Sequence, residues 1–65
     1  MRILVNGDWH EVQARDLAGA LAELGYVGAV IATAVNGEFV PQDRRAGLSL
    51  KGGERIEVLA PMQGG

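Results

Sequence analysis

The sequence closes on Pro61-Met62-Gln63-Gly64-Gly65, the one stretch whose residue types suit a reaction. Pro61 fixes its own φ and donates no N–H, so a strand running into it stops there. Beyond it come a flexible apolar residue, an amide and two residues without side chains. Five residues reach at most roughly 18 Å, enough to enter another protein's active site and too little to build a pocket. The group on offer is therefore the Gly65 carboxylate itself. A carboxylate is a poor electrophile, and it needs activation to a mixed anhydride before a nucleophile displaces anything. Glycines suit such an approach, because a β-carbon would widen the tail and restrict its φ and ψ. On this reading Gly65 reacts, Gly64 supplies steric access, and Gln63 and Met62 either touch a partner or act as a spacer. The same residues also fit an ordinary frayed terminus.

The remaining chain narrows the choice. Sixty-five residues make one domain with a small core and little room for an internal catalytic cavity. The absence of cysteine rules out disulfides and thiolate metal sites, in keeping with a reducing cytoplasm. His10 is the only histidine and cannot build a metal site or a triad alone, so a surface or edge position is expected for it. A net charge of −2 with mixed signs argues against nucleic-acid binding, and the only basic cluster, Arg44-Arg45, is short. Lys51-Gly52-Gly53 lacks the spacing of a phosphate-binding loop. No apolar run reaches membrane-spanning length, and the N-terminus has no signal-peptide h-region, so a cytoplasmic location is expected. Catalysis by the chain unaided is not expected, nor is a bound cofactor or metal. A carrier or binding module fits better.

A scaffold for the tail can be read from the N-terminus onward. Met1 to Val5 is apolar and branched, a strand, and Asn6-Gly7 is the strongest short hairpin signal because a type I′ turn needs positive φ at both positions. Asp8 to Val12 then returns antiparallel, pairing Val5 with Asp8, Leu4 with Trp9, Ile3 with His10 and Arg2 with Glu11. Ile3, Val5 and Val12 face the core, while Leu4 and Trp9 face outward. Asp16 is a good N-cap, Leu17, Ala20, Leu21 and Leu24 form one helical stripe, and Gly25 sits where a left-handed stop belongs. Gly19 inside that helix is a cost of up to about 1 kcal/mol. Residues 26–28 should connect the helix to an apolar strand from Ala29 to Val35, with Ile31, Thr33 and Val35 toward the helix and Ala32 and Ala34 away from it. A second Asn-Gly leads into a short strand, Glu38-Phe39-Val40, stopped by Pro41. Residues 42–47 are polar and looped, with room for one helical turn, and Leu48 and Leu50 anchor this loop to the core. The last strand, Glu54 to Leu59, turns Ile56 and Val58 inward. The expected core is Ile3, Val5, Leu21, Leu24, Ile31, Val35, Ile56 and Val58.

The order β-β-α-β-(short β)-β places the first and last strands side by side and parallel if the crossover is right-handed. This predicts an α+β, ubiquitin-like β-grasp domain over residues 1–60. Its four- to five-stranded mixed sheet carries one helix on one face, and residues 61–65 form a flexible tail. Leu4, Trp9, Ala32, Ala34 and Leu59 together form the candidate partner-binding face on the sheet's other side.

On these residues the sequence resembles the ThiS family, the sulfur carrier proteins of thiamine biosynthesis. The resemblance spans essentially the whole chain. It rests on Ile3-Leu4-Val5-Asn6-Gly7 and on Ala34-Val35-Asn36-Gly37-Glu38-Phe39-Val40-Pro41. It rests also on Gly53-Glu54-Arg55-Ile56-Glu57-Val58 and on Ala60-Pro61-Met62-Gln63-Gly64-Gly65. Glu54 replaces the family's common Asp, and Arg45 stands where many members carry Trp, which leaves the packing of that loop open. The resemblance implies that an E1-like enzyme adenylates Gly65 with ATP. Sulfur from a persulfide, such as that of a cysteine desulfurase, then gives a C-terminal thiocarboxylate, and thiazole synthase takes the sulfur. A molybdopterin-synthase small subunit would use the same tail chemistry with another acceptor. A β-grasp interaction module with an inert tail is the reading of a different class.

Overall fold

The computed structural model describes residues 1–26 and 30–60. Strand β1 (Arg2–Val5) turns through Asn6 and Gly7, at φ +49° and +86°, into strand β2 (Asp8–Glu11). The positive φ at both turn positions is what a type I′ turn requires. The register is the expected one, with Arg2 opposite Glu11, Ile3 opposite His10, Leu4 opposite Trp9 and Val5 opposite Asp8. Met1 prolongs the hairpin, exchanging backbone hydrogen bonds of 2.7 and 2.8 Å with Val12.

Helix α1 (Leu17–Glu23) begins at Asp16, whose Oδ1 accepts the Gly19 N–H at 2.8 Å. Gly19 is more than a propensity penalty. A β-carbon there would stand 2.7 Å from Asp16 Oδ1 and 2.8 Å from the Ala14 β-carbon, so the N-cap and the entering chain leave no room for one. The helix ends in a Schellman motif: Gly25 N–H donates to Ala22 O, Tyr26 N–H donates to Leu21 O, and Gly25 has φ +93°. Glu23 reaches back to accept the backbone N–H groups of Gln13 and Ala14, closing the loop that leads into the helix.

Strand β3 (Ala32–Val35), a second Asn-Gly turn and strand β4 (Glu38–Val40) form the other hairpin, and strand β5 (Arg55–Leu59) completes the sheet. The strand order is β2-β1-β5-β3-β4, with β5 parallel to β1 and antiparallel to β3. This is the expected β-grasp arrangement, with five strands. β3 starts later than expected, at Ala32, and residues 27–29 lie outside those described. The segment 42–47 is a 3-10 helix (Gln42–Gly47), followed by a single bridge between Asp16 and Ser49.

The core between helix and sheet contains Ile3, Val5, Val12, Leu17, Ala20, Leu21, Val40, Leu50, Ile56 and Val58, with Thr33 buried among them. Three residues expected at its centre, Leu24, Ile31 and Val35, are only half-buried and pack against its margin. Their places explain this: Leu24 caps the helix, Ile31 precedes β3, and Val35 adjoins a turn. Val40 takes an inner position instead, because it lies opposite Thr33.

Arg45 settles the loop that the sequence left open. Its Nε donates to the Thr33 hydroxyl at 3.1 Å and its Nη2 to Ile31 O at 2.7 Å, while the hydroxyl donates to Val40 O at 2.9 Å. A buried threonine hydroxyl is thus satisfied as donor and acceptor, and the 3-10 helix is tied to β3. Truncating a fully packed leucine loses its burial and leaves a cavity, so Leu21→Ala is expected to cost about 2–5 kcal/mol in a denaturant titration. An unchanged midpoint would contradict this packing.

Candidate functional site

Pro61, Met62, Gln63, Gly64 and Gly65 lie outside the described residues. The geometry therefore bears on the surface from which this stretch continues. That surface is the outer sheet face and the end of β5.

Alternation along the strands turns Leu4, Trp9, Ala32, Ala34, Phe39, Arg55, Glu57 and Leu59 to the outer face. The face is not the single patch expected from Leu4, Trp9, Ala32, Ala34 and Leu59. Strand β5 runs between β1 and β3, so Arg55 and Glu57 divide Leu4 and Trp9 from the two alanines. Leu4 is half-buried beside Trp9, which is 49% exposed, and the Arg2 guanidinium lies 4.7 Å from the centre of the indole ring. One face of Trp9 thus already has a cationic partner within the chain.

The other half is more open. Leu59 lies opposite Ala32, and Phe39 lies opposite Ala34, at 72% and 68% exposure respectively. Val30, 80% exposed, precedes this row. The alanines make a shallow floor between two large apolar side chains. Such a surface accepts protruding apolar groups of another protein and offers almost nothing to a small polar substrate. Leu59 sits six positions before Gly65, within roughly 20 Å of it along an extended chain. Phe39 had no part in the sequence-based patch, although the two-residue turn at Asn36-Gly37 fixes its partner as Ala34 by the same rule that paired Leu4 with Trp9.

Both turn asparagines reach β5. Asn6 Oδ1 accepts the Val58 N–H at 2.8 Å and its Nδ2 donates to Val58 O at 3.0 Å. Asn36 Oδ1 accepts the Arg55 N–H at 3.0 Å, and its Nδ2 donates to Glu54 Oε2 at 3.1 Å. Glu54 also accepts the Lys51 N–H at 2.6 Å and so braces the turn into β5. His10 is half-buried on the edge strand β2. Among the described residues no group of three His, Cys, Asp or Glu side chains could hold a metal, and no helix is long and apolar enough to cross a membrane.

Because Phe39 and Leu59 project into solvent, Phe39→Ser and Leu59→Ser should each unfold within about 0.5 kcal/mol of the parent in denaturant. A loss of several times that size would show that the two side chains are packed.

Comparison with known proteins comes down on one family. A model of the ThiS family matches residues 2–65. The crystal structure of a thiamine biosynthesis protein (ThiS) from Geobacter metallireducens superposes with a TM-score of 0.81 at 26% identity, covering 100% of both chains. No curated protein matches the sequence.

Proposed function

Because the chain belongs to the ThiS family of small sulfur carrier proteins, which are not themselves enzymes, we propose that Gly65 carries sulfur as a C-terminal thiocarboxylate for the thiazole ring of thiamine. The observation that carries this reading is the family match, which runs through Gly64 and Gly65 rather than ending with the folded domain. The chemistry supports it. An E1-like partner lets the Gly65 carboxylate attack the α-phosphorus of ATP, releasing pyrophosphate and leaving an acyl-adenylate. The terminal sulfur of a cysteine persulfide then attacks the Gly65 carbonyl carbon and displaces AMP. A thiol cleaves the resulting S–S bond, and the thiocarboxylate remains. Thiazole synthase is its acceptor, and the ATP belongs to the activating enzyme rather than to this chain. The cytoplasm, where ATP and persulfide donors occur together, is the place for these steps. A molybdopterin-synthase partner would draw on the same tail chemistry, and the family match favours the thiazole branch.

Within this reading the activating enzyme docks on Ala32, Ala34 and Leu59, joined by Phe39. Leu4 and Trp9 lie across Arg55 and Glu57, at the margin of that contact. Gly64 keeps the tail narrow inside the partner, and Met62 and Gln63 span the distance from the domain.

The test is incubation with the cognate activating enzyme, ATP and a sulfur donor, followed by thiol-directed alkylation. The chain has no cysteine, so the tryptic fragment Ile56–Gly65 takes the label only at a thiocarboxylate. Labelling of that fragment is expected, and deletion of Gly65 should abolish it while leaving the unfolding midpoint unchanged. A fragment that stays unlabelled beside a demonstrably active enzyme removes the carrier assignment. On the docking face, Phe39→Glu and Leu59→Glu should each raise the KM for the carrier about tenfold or more, as truncating a central apolar anchor does. Unchanged KM values would move the dock elsewhere.

A further inference from the structure

The two Asn-Gly turns make the same local structure, yet their asparagine side chains grip opposite ends of β5. At the first turn the backbone of β1 pairs with β5 as far as the bond from Asn6 N–H to Ile56 O, at 3.0 Å. There the chain reverses through Gly7, and no further backbone of β1 is available to pair. The Asn6 side-chain amide takes over. It accepts from Val58 N–H and donates to Val58 O, at 2.8 and 3.0 Å, and so satisfies both backbone groups that a continuing strand would have paired. These bonds join residues 52 apart in sequence. On the opposite side β3 holds the same stretch, with Thr33 against Val58 and Ala32 against Leu59. The end of β5 is therefore held from both sides, Val58 through the Asn6 amide and its neighbours through the pairing with β3, before the chain leaves the sheet at Ala60.

We infer that Asn6 is a positioning residue for the carrier reaction: its amide holds the end of β5 in register, and so fixes the point and direction from which the tail enters the partner. This rests on the carrier reading above. The chemistry needs asparagine in particular. Glycine satisfies the turn's positive φ but offers no side chain. Aspartate also suits the turn and can accept from Val58 N–H, but when ionised it has no donor for Val58 O. Glutamine has one methylene too many for the same two-point contact. The conformational role and the gripping role can therefore be separated by mutation. Loosening Val58 leaves the end of β5 held by β3 alone, which keeps Leu59 opposite Ala32 and the dock in place but no longer fixes the direction in which the chain leaves the sheet. The partner would bind the domain nearly as before, but the Gly65 carboxylate would spend less time in line with the nucleotide.

The second turn supplies a matched control. Asn36 likewise accepts a β5 N–H, that of Arg55 at 3.0 Å, but at the start of the strand, away from the tail. Three proteins are compared in adenylation by the cognate activating enzyme: the parent, Asn6→Gly and Asn36→Gly. Backbone amide exchange at Val58 is followed in parallel. For Asn6→Gly, kcat should fall about tenfold with KM within about twofold of the parent, and Val58 exchange should quicken. For Asn36→Gly, kcat should stay at the parent's value even where stability drops. Should Asn6→Gly not fold, Asn6→Asp is compared with Asn36→Asp, since aspartate keeps the turn but replaces the donor to Val58 O with a carboxylate oxygen. A parent that is charged beside an Asn6→Gly of equal kcat overturns this inference and leaves the carrier reading standing. Equal losses of kcat in both variants also overturn it, as they would reflect stability alone. A parent that is never charged by an enzyme active on another carrier removes both.

Discussion

Among the described residues, strand β5 joins the two hairpins into one sheet, and the rest of the molecule depends on its being held on both sides. Toward β1 it takes hydrogen bonds from Leu4 N–H to Glu54 O and from Asn6 N–H to Ile56 O, each 3.0 Å, while Gly53 N–H reaches Arg2 O at 2.8 Å. Toward β3 it pairs from Val35 opposite Ile56 to Ala32 opposite Leu59. Without it, two separate hairpins would remain, and isolated two-stranded hairpins are marginal in water. The β1–β5 pairing closes a loop of some fifty residues, and the entropy of that closure falls on the apolar core. Ile56 and Val58 answer it directly, since both are buried against Ile3, Val5 and the helix residues Leu17, Ala20 and Leu21. The same strand alternates outward through Arg55, Glu57 and Leu59, so one segment closes the core, divides the outer face and carries the chain out of the domain.

Local rules made much of this architecture legible. A two-residue turn between alternating strands leaves one register, and each hairpin follows it. Asp16 and Gly25 bracket a helix whose apolar stripe has one face to bury, and both act as the sequence implies. What the sequence hid was the meeting of distant segments. Strand order places β5 between β1 and β3, and this separates Leu4 and Trp9 from Ala32 and Ala34, residues whose common face alone had suggested one patch. Leu24, Ile31 and Val35 satisfy the apolar pattern but stand at the ends of their elements, where neighbours run out.

Side-chain hydrogen bonds were the least legible layer. Nothing in the spacing of Arg45 announces that its guanidinium will satisfy Thr33 and Ile31. A charged residue in a polar loop is ordinarily solvated, and only the fold brings β3 beneath it. Gly19 carries the reverse lesson. Propensity counts it as a defect, yet the capping carboxylate of Asp16 and the methyl group of Ala14 already fill the space a side chain would need. Asn6 and Asn36 form the turns that their Asn-Gly pairs imply, and each has a second use that the turn signal does not reveal. A residue chosen for positive φ also projects an amide beside the neighbouring strand. Only the placement of β5 shows that both amides find backbone there.

These features bear on how a chain of this size takes part in group transfer. The reacting group of the proposed chemistry is a backbone terminus, which has no side chain to be oriented and no pocket of its own. Its delivery depends on where, and in what direction, the sheet releases the chain. Under the proposed chemistry any uncertainty at the end of β5 is passed on to the reacting group, whose effective concentration at the partner then falls. The Asn6 amide on Val58 and the pairing of Leu59 with Ala32 limit that uncertainty from opposite sides of the strand. This also accounts for placing the exit on a central strand rather than at an edge. An edge strand is held by one ladder and frays from its end inward, whereas β5 stays paired to β3 at Leu59 after β1 has turned away.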